Sequence, residues 1–144
     1  FTWGMSREDV RSLCTYAGLQ FFLGGEDDGI NIEDSRYCCY FDETGGLSAL
    51  TIQTGSSRDE RFTVDETTLE EVQQIVTDAG GSLTLLTPAG DNPWEIWQYA
   101  DTAQGTLYWF TVFQGKVTVI TEKQLTAATF DGQQEWKSVL LMEN

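Results

Sequence analysis

The sequence predicts an α+β fold of two tandem units, each a helix followed by an antiparallel strand meander, with the helices packed on one side of the sheet. Three observations carry this. Two segments place apolar residues at i, i+3, i+4 and i+7 behind a capping residue: Val10, Leu13, Cys14 and Ala17, then Val72, Ile75, Val76 and Ala79. Every member of the second set lies 62 positions after its counterpart in the first. Each segment is then followed by β-branched and aromatic runs broken by glycine-containing turns.

The first helix is expected over Ser6 to Ala17. Ser6 caps it, Asp9 stands three residues on in capping-box spacing, and Gly18 supplies a left-handed stop. Strands are then expected at Leu19 to Leu23, Ile30 to Ile32, Arg36 to Phe41 and Leu47 to Gln53, the last two joined across Thr44-Gly45-Gly46. Thr54 to Glu66 reads as a polar, charged connector. The second helix runs from its cap Thr68, with Glu71 in the reciprocal position, to Ala79 before Gly80. Further strands follow at Ser82 to Thr87, Trp94 to Ala100, Thr106 to Phe113 and Lys116 to Thr121, the last pair joined by the tight Gln114-Gly115 turn. Beyond Gln124, Leu125 to Phe130 reads as a strand, Asp131-Gly132 as a turn and Trp136 to Met142 as a strand or a short helix, a final strand being preferred. The chain is thus expected to be one compact domain, 1–144, with internal units at about 1–60 and 63–123 and an extension over 124–144.

Strand faces add a constraint. In Trp94 to Tyr99 and in Thr106 to Phe113 the alternating positions on both faces are largely apolar. Helices on one side cover one face, so the other is either sandwiched, as by the second unit, or offered to a partner.

Composition narrows the function. Among 144 residues there are 8 Lys+Arg against 23 Asp+Glu and no histidine, a formal charge of -15. The acid is not a tail: residues 1–66 hold 13 acidic and 5 basic residues, and 67–144 hold 10 and 3. Such a field opposes direct binding to nucleic acid or an anionic membrane and favours a basic protein partner. Without histidine, Ser-His-Asp and Cys-His nucleophiles, His-ligated zinc and histidine pH switching are excluded. No apolar run approaches the roughly 18 residues of a spanning helix. Cys14, Cys38 and Cys39 lack C-x-x-C spacing; adjacent Cys38 and Cys39 point to opposite faces of a strand, which leaves three reduced thiols or one bridge from Cys14. This cysteine usage predicts a cytoplasmic protein, or a periplasmic or secreted one if a leader precedes Phe1.

Candidate chemistry is sparse. The acidic pairs and triplets fall mostly in turns or at helix entrances, and residues 27–34 fail the EF-hand register. Gly24-Gly25, Gly45-Gly46 and Gly80-Gly81 lack the context of a phosphate-binding loop and read as turns. No pair of carboxylates is placed by the sequence in an apolar cleft. The chain is therefore expected not to be an enzyme, and to use no cofactor or metal.

The opening Phe1-Thr2-Trp3-Gly4-Met5-Ser6-Arg7-Glu8-Asp9-Val10 resembles the F-x-W-G-M-S-x-E-E-V start of bacterial domains of the BamE/SmpA-like group, which also share the helix-then-meander pattern. Tandem duplication of such a unit is similar to the β-lactamase-inhibitor-protein family, two-unit binders that cover their target with a concave sheet. The resemblance implies a non-catalytic binding domain.

Charge and aromatics together point to an acidic protein-binding protein, a bacterial immunity protein or inhibitor that occludes a basic toxin or enzyme. Glu26, Asp27, Asp28, Asp42, Glu43 and Asp91 are the candidate acidic contacts, and Trp94, Trp97, Tyr99 and Tyr108 the candidate desolvated anchors. The alternatives are an extracytoplasmic scaffold or assembly domain of the BamE-like type, and a DNA-mimic inhibitor.

Overall fold

A computed structural model of the chain describes residues 1–23, 29–33, 36–88, 90–91 and 93–125. Two helices, α1 (Arg7–Ala17) and α2 (Leu69–Asp78), accompany eight strands: β1 (Phe21–Leu23), β2 (Ile30–Ile32), β3 (Tyr37–Phe41), β4 (Leu47–Ile52), β5 (Leu83–Thr87), β6 (Glu95–Asp101), β7 (Thr106–Phe113) and β8 (Lys116–Gln124). The α+β class and the strand meander stand as the sequence predicts. Both helix starts are the expected capping boxes: Ser6 Oγ accepts from Asp9 N at 3.1 Å, and Thr68 Oγ1 accepts from Glu71 N at 3.2 Å.

The strands form one antiparallel sheet in the order β1-β2-β3-β4-β8-β7-β6-β5. The two runs of four strands therefore lie edge to edge in one sheet, joined where β4 pairs with β8, and neither is stacked on the other. The expectation that a second unit sandwiches the first unit's outer face gives way to this arrangement. The Gln114-Gly115 hairpin has positive φ at both positions, 50° and 76°, the twist that a two-residue turn needs. β8 runs three residues beyond the predicted Thr121, because its pairing with β7 continues to Thr106↔Gln124. The strand and turn expected over 126–142 lie outside the described residues.

Register aligns side chains in rows across all eight strands. Ile30, Cys39, Leu50, Glu122, Tyr108, Tyr99 and Leu83 make one row; Phe21, Ile32, Tyr37, Ile52, Ile120, Phe110, Trp97 and Leu85 make the next on the same face. Most of these residues belong to or pack against the main core, which also contains Val10 and Cys14 of α1 and Val72 and Val76 of α2. On the opposite face, Phe22, Asn31, Cys38, Thr51, Thr121, Trp109, Gln98 and Thr84 make the corresponding row, and a smaller cluster gathers around Ile96, Leu107 and Trp109.

The connector is not a solvated spacer. Phe62 and Val64 are buried in the main core, where Phe62 meets Tyr108 and Phe110 edge-on at 5.4 and 4.8 Å. This packing carries Arg58 and Arg61 onto the face of the sheet that holds the main core.

Candidate functional site

Arg58 and Arg61 organise the polar centre of the molecule. β8 places Glu122 in a row of apolar side chains, fully buried, where an unpaired carboxylate would be strongly disfavoured. Arg58 answers it with Nε donating to Oε1 at 2.8 Å and its backbone N–H to Oε2 at 2.9 Å. The same guanidinium donates to the carbonyl of Phe1 and to Thr106 Oγ1, both at 3.0 Å, and lies 4.1 Å from the centre of the Trp3 ring. Trp3 Nε1 donates to Thr106 Oγ1 at 3.1 Å, so N-terminal segment, connector and sheet meet at one arginine.

Arg61 lies beside it, paired with Asp59 and with Asp101, whose Oδ2 accepts at 2.6 Å. Burial works against the Arg61 charge, but hydrogen bonds to Tyr108, Tyr99, Asp101 and Asp59 outweigh it and hold the guanidinium pKa above its ordinary value. Burial, then the nearby Glu122 carboxylate, push the Tyr108 phenol up. Asp59 is opposed by burial, yet Ser57 and Arg61 hydrogen bonds keep it below the usual carboxylate range. A cleft of about 250 Å³ opens beside Arg61, lined by Gly80, Gly81, Tyr99, Asp101 and Gln104 among others. Its floor is a compensated ion network, since the one cation there already faces two carboxylates.

These groups are the polar residues that sequence reading missed. Phe62 and Val64 within a charged connector were the available signal, because an apolar pair between Arg61 and Asp65 argues against a solvated loop.

The predicted site residues separate. Asp42, Glu43 and Asp91 are exposed. Asp42 holds the turn between β3 and β4, its Oδ1 accepting from Thr44 Oγ1 at 2.6 Å, Thr44 N at 3.0 Å and Gly46 N at 3.1 Å; the Thr44 hydroxyl and then the Gly46 amide lower its pKa. Trp94 is 44% exposed and lies 5.6 Å from the Phe113 ring. Trp97 is half-buried against the main core, its Nε1 buried without a hydrogen-bond partner. Tyr99 and Tyr108 are core residues, stacked at 5.7 Å, and in that position they offer a partner no surface. Glu26, Asp27 and Asp28 lie outside the described residues.

Comparison with known proteins adds no relative. No family model, curated protein or solved structure matches the chain. Function must therefore be argued from the residues themselves. Among the described residues no group of three or more Cys, Asp or Glu side chains is gathered as a metal site, and no helix is long and apolar enough to cross a membrane. All three cysteines are thiols, and buried. Other exposed apolar residues lie on α1, β1 and β5: Leu13, Tyr16, Phe22 and Leu85.

Proposed function

We propose that this chain is an acidic protein-binding protein, an immunity protein or inhibitor that occludes a basic toxin or enzyme. One observation carries the reading: Arg58 and Arg61 are turned inward onto acid while much of the remaining acid stays outside. Arg58 is bound to Glu122, and Arg61 to Asp59 and Asp101. Asp42, Glu43, Asp65, Glu66, Glu70, Glu71, Asp78 and Asp91 are exposed. The outward field is more uniformly negative than the composition alone requires, and it accelerates encounter with a basic target. Trp94 with Phe113, flanked in sequence by Asp91 and Glu95, is a described place where an exposed aromatic adjoins that acid, and it is the proposed anchor.

The duplicated architecture belongs to the same proposal: α1 with β1–β4 and α2 with β5–β8 are two copies of one unit. Support comes from equivalent bonds. Leu47 N donates to Met5 O at 2.8 Å, and Val117 N donates to Thr67 O at 3.0 Å, so each segment before a helix pairs with the last strand of its own run. Met5 and Thr67 are 62 positions apart, the same offset as the helix stripes and as Phe21 and Leu83 at the starts of β1 and β5.

The test is capture of partners from source cells at low salt, identification by mass, and kinetics of the purified pair at rising ionic strength. A basic enzyme or toxin that is inhibited on binding, with an association rate falling as salt rises and a dissociation rate raised by Trp94→Ala, is the expected result. Recovery of envelope assembly proteins alone, bound without salt dependence, would replace it with the scaffold reading that the BamE-like resemblance favours.

A further inference from the structure

β5 stands at one end of the eight-stranded order, and among the described residues no strand lies beyond it. A strand in that position turns one row of backbone N–H and C=O groups toward its neighbour and a second row outward, where it is a template for another strand. Such edges are ordinarily blunted by a charged side chain, above all lysine, or by proline within the strand. β5 has neither: its five residues, Leu-Thr-Leu-Leu-Thr, are uncharged, and Pro88 comes only after them. Its irregularity against β6 falls between Leu85 and Thr87, which leaves Leu83, Thr84 and Leu85 in regular register. Thr84 and Leu85 are exposed. Two apolar rows of the core-bearing face also run out here without a polar terminus, one through Tyr108 and Tyr99 to Leu83, the other through Phe110 and Trp97 to Leu85. Along the second, Phe110 is 0% exposed, Trp97 half-buried and Leu85 39% exposed. β1, at the other edge, has three residues and is the shorter template.

We infer that β5 pairs antiparallel with β5 of a second copy of this chain, so that one sheet runs through a two-fold dimer. A two-fold axis at Thr84 sets Thr84 opposite its own copy and Leu83 opposite Leu85, twice over, as an isologous contact requires. Each apolar row then continues into the other copy, and the threonines pair on the opposite face, a favourable cross-strand combination. Charge selects this occupant. No pair formed along β5 brings two carboxylates together, although each chain carries -15 overall, whereas the lysines and arginines of a basic partner's strand would find no acid on β5 to answer them. The inference does not depend on the inhibitory role proposed above. The two also differ in the sign of their salt dependence: salt screens the repulsion between two acidic copies and tightens their pairing, but loosens the hold on a basic target.

The test follows the full chain by sedimentation velocity over a concentration series at low and at high salt. The expected result is a monomer–dimer equilibrium whose dissociation constant falls about tenfold from low to high salt. Thr84→Lys/Leu85→Lys should leave monomer alone, even though it reduces the net charge that opposes pairing, while Phe22→Lys on β1 should leave the dimer as it is. A chain that stays monomeric throughout the series at both salts overturns the inference, and one that inhibits a basic target in that state leaves the proposed function standing. A dimer that survives Thr84→Lys/Leu85→Lys in a variant of normal far-UV circular dichroism, or that is lost with Phe22→Lys, overturns it too. If the paired variant unfolds, hydrogen exchange in the unmodified chain decides. Exchange of the Leu83–Thr87 amides that slows as concentration rises, with the β1 amides unchanged, supports the pairing; protection of β5 that is the same at every concentration overturns it.

Discussion

At the scale of single residues, the environment of a side chain decides more than its type. Glu122, Asp42 and Asp101 are chemically near-identical acids. One is locked in the core by Arg58, one ties a turn to backbone amides, and one pairs with Arg61 from the end of β6. Sequence could not separate them, because Arg58 and Glu122 stand 64 positions apart and only the fold brings them together. Tyr99 and Tyr108 were illegible for the same reason: alternation shows that two faces exist but not which one the helices cover. Cys39 illustrates what burial does to a titratable group. Desolvation, then its neighbours Cys14 and Cys38, push its thiol up to about 12. An unfolded thiol ionises near ~8.5. Between those values the unfolded chain loses a proton that the folded chain keeps, so the contribution of Cys39 to stability is fully present below about 8.5 and declines as pH rises toward 12. Urea unfolding at pH 7, 9 and 10 should therefore show stability falling with pH, and Cys39→Ala should flatten that fall while lowering stability throughout. An equal slope in the variant would remove Cys39 as its source.

At the scale of elements, local signals were read well and long-range ones were not. Helix starts were legible to the residue, because a capping box is a contact between positions three apart and needs no tertiary structure to be recognised. Seven of the eight strands begin within two residues of the expected position and end within one; β8 is longer, because a central strand is extended by the partners on both its sides. The connector was misread because half of its charge, which looks like solvation, is consumed internally, at Arg58, Asp59 and Arg61. It acts as a third layer element, holding Phe62 under the sheet and presenting Arg58 and Arg61 to buried acid. Phe62→Ala should cost about 3–5 kcal/mol, the range for removing a buried aromatic ring, measured by urea unfolding. Because Phe62 fixes the backbone that carries both arginines, the loss should exceed that of Tyr16→Ala, a 93% exposed aromatic, by nearly the whole amount. Similar costs for the two would mean that the connector is not part of the core.

At the scale of the whole molecule, the argument turns on the junction between β4 and β8. It is the one place where the two four-stranded runs pair, over Ala49↔Lys123, Leu50↔Glu122, Thr51↔Thr121 and Ile52↔Ile120. Two runs joined only by a short seam could unfold separately, as repeated units do when the interface between them is weak. Three features oppose that. Ile52 and Ile120 face each other fully buried, Glu122 at the seam is fixed by the connector's Arg58, and residues of both helices share one apolar cluster. Energy is thus concentrated at the junction, and losing either half exposes the core of the other. The chain should therefore unfold in a single transition, with tryptophan fluorescence and far-UV circular dichroism giving the same midpoint. Ile120→Ala should lower stability by about 2–5 kcal/mol, the range for truncating a buried isoleucine, and should move both midpoints together. Separation of the two signals in that variant, one transition shifted and the other left in place, would show that each run of four strands stands on its own helix and that the seam only aligns them.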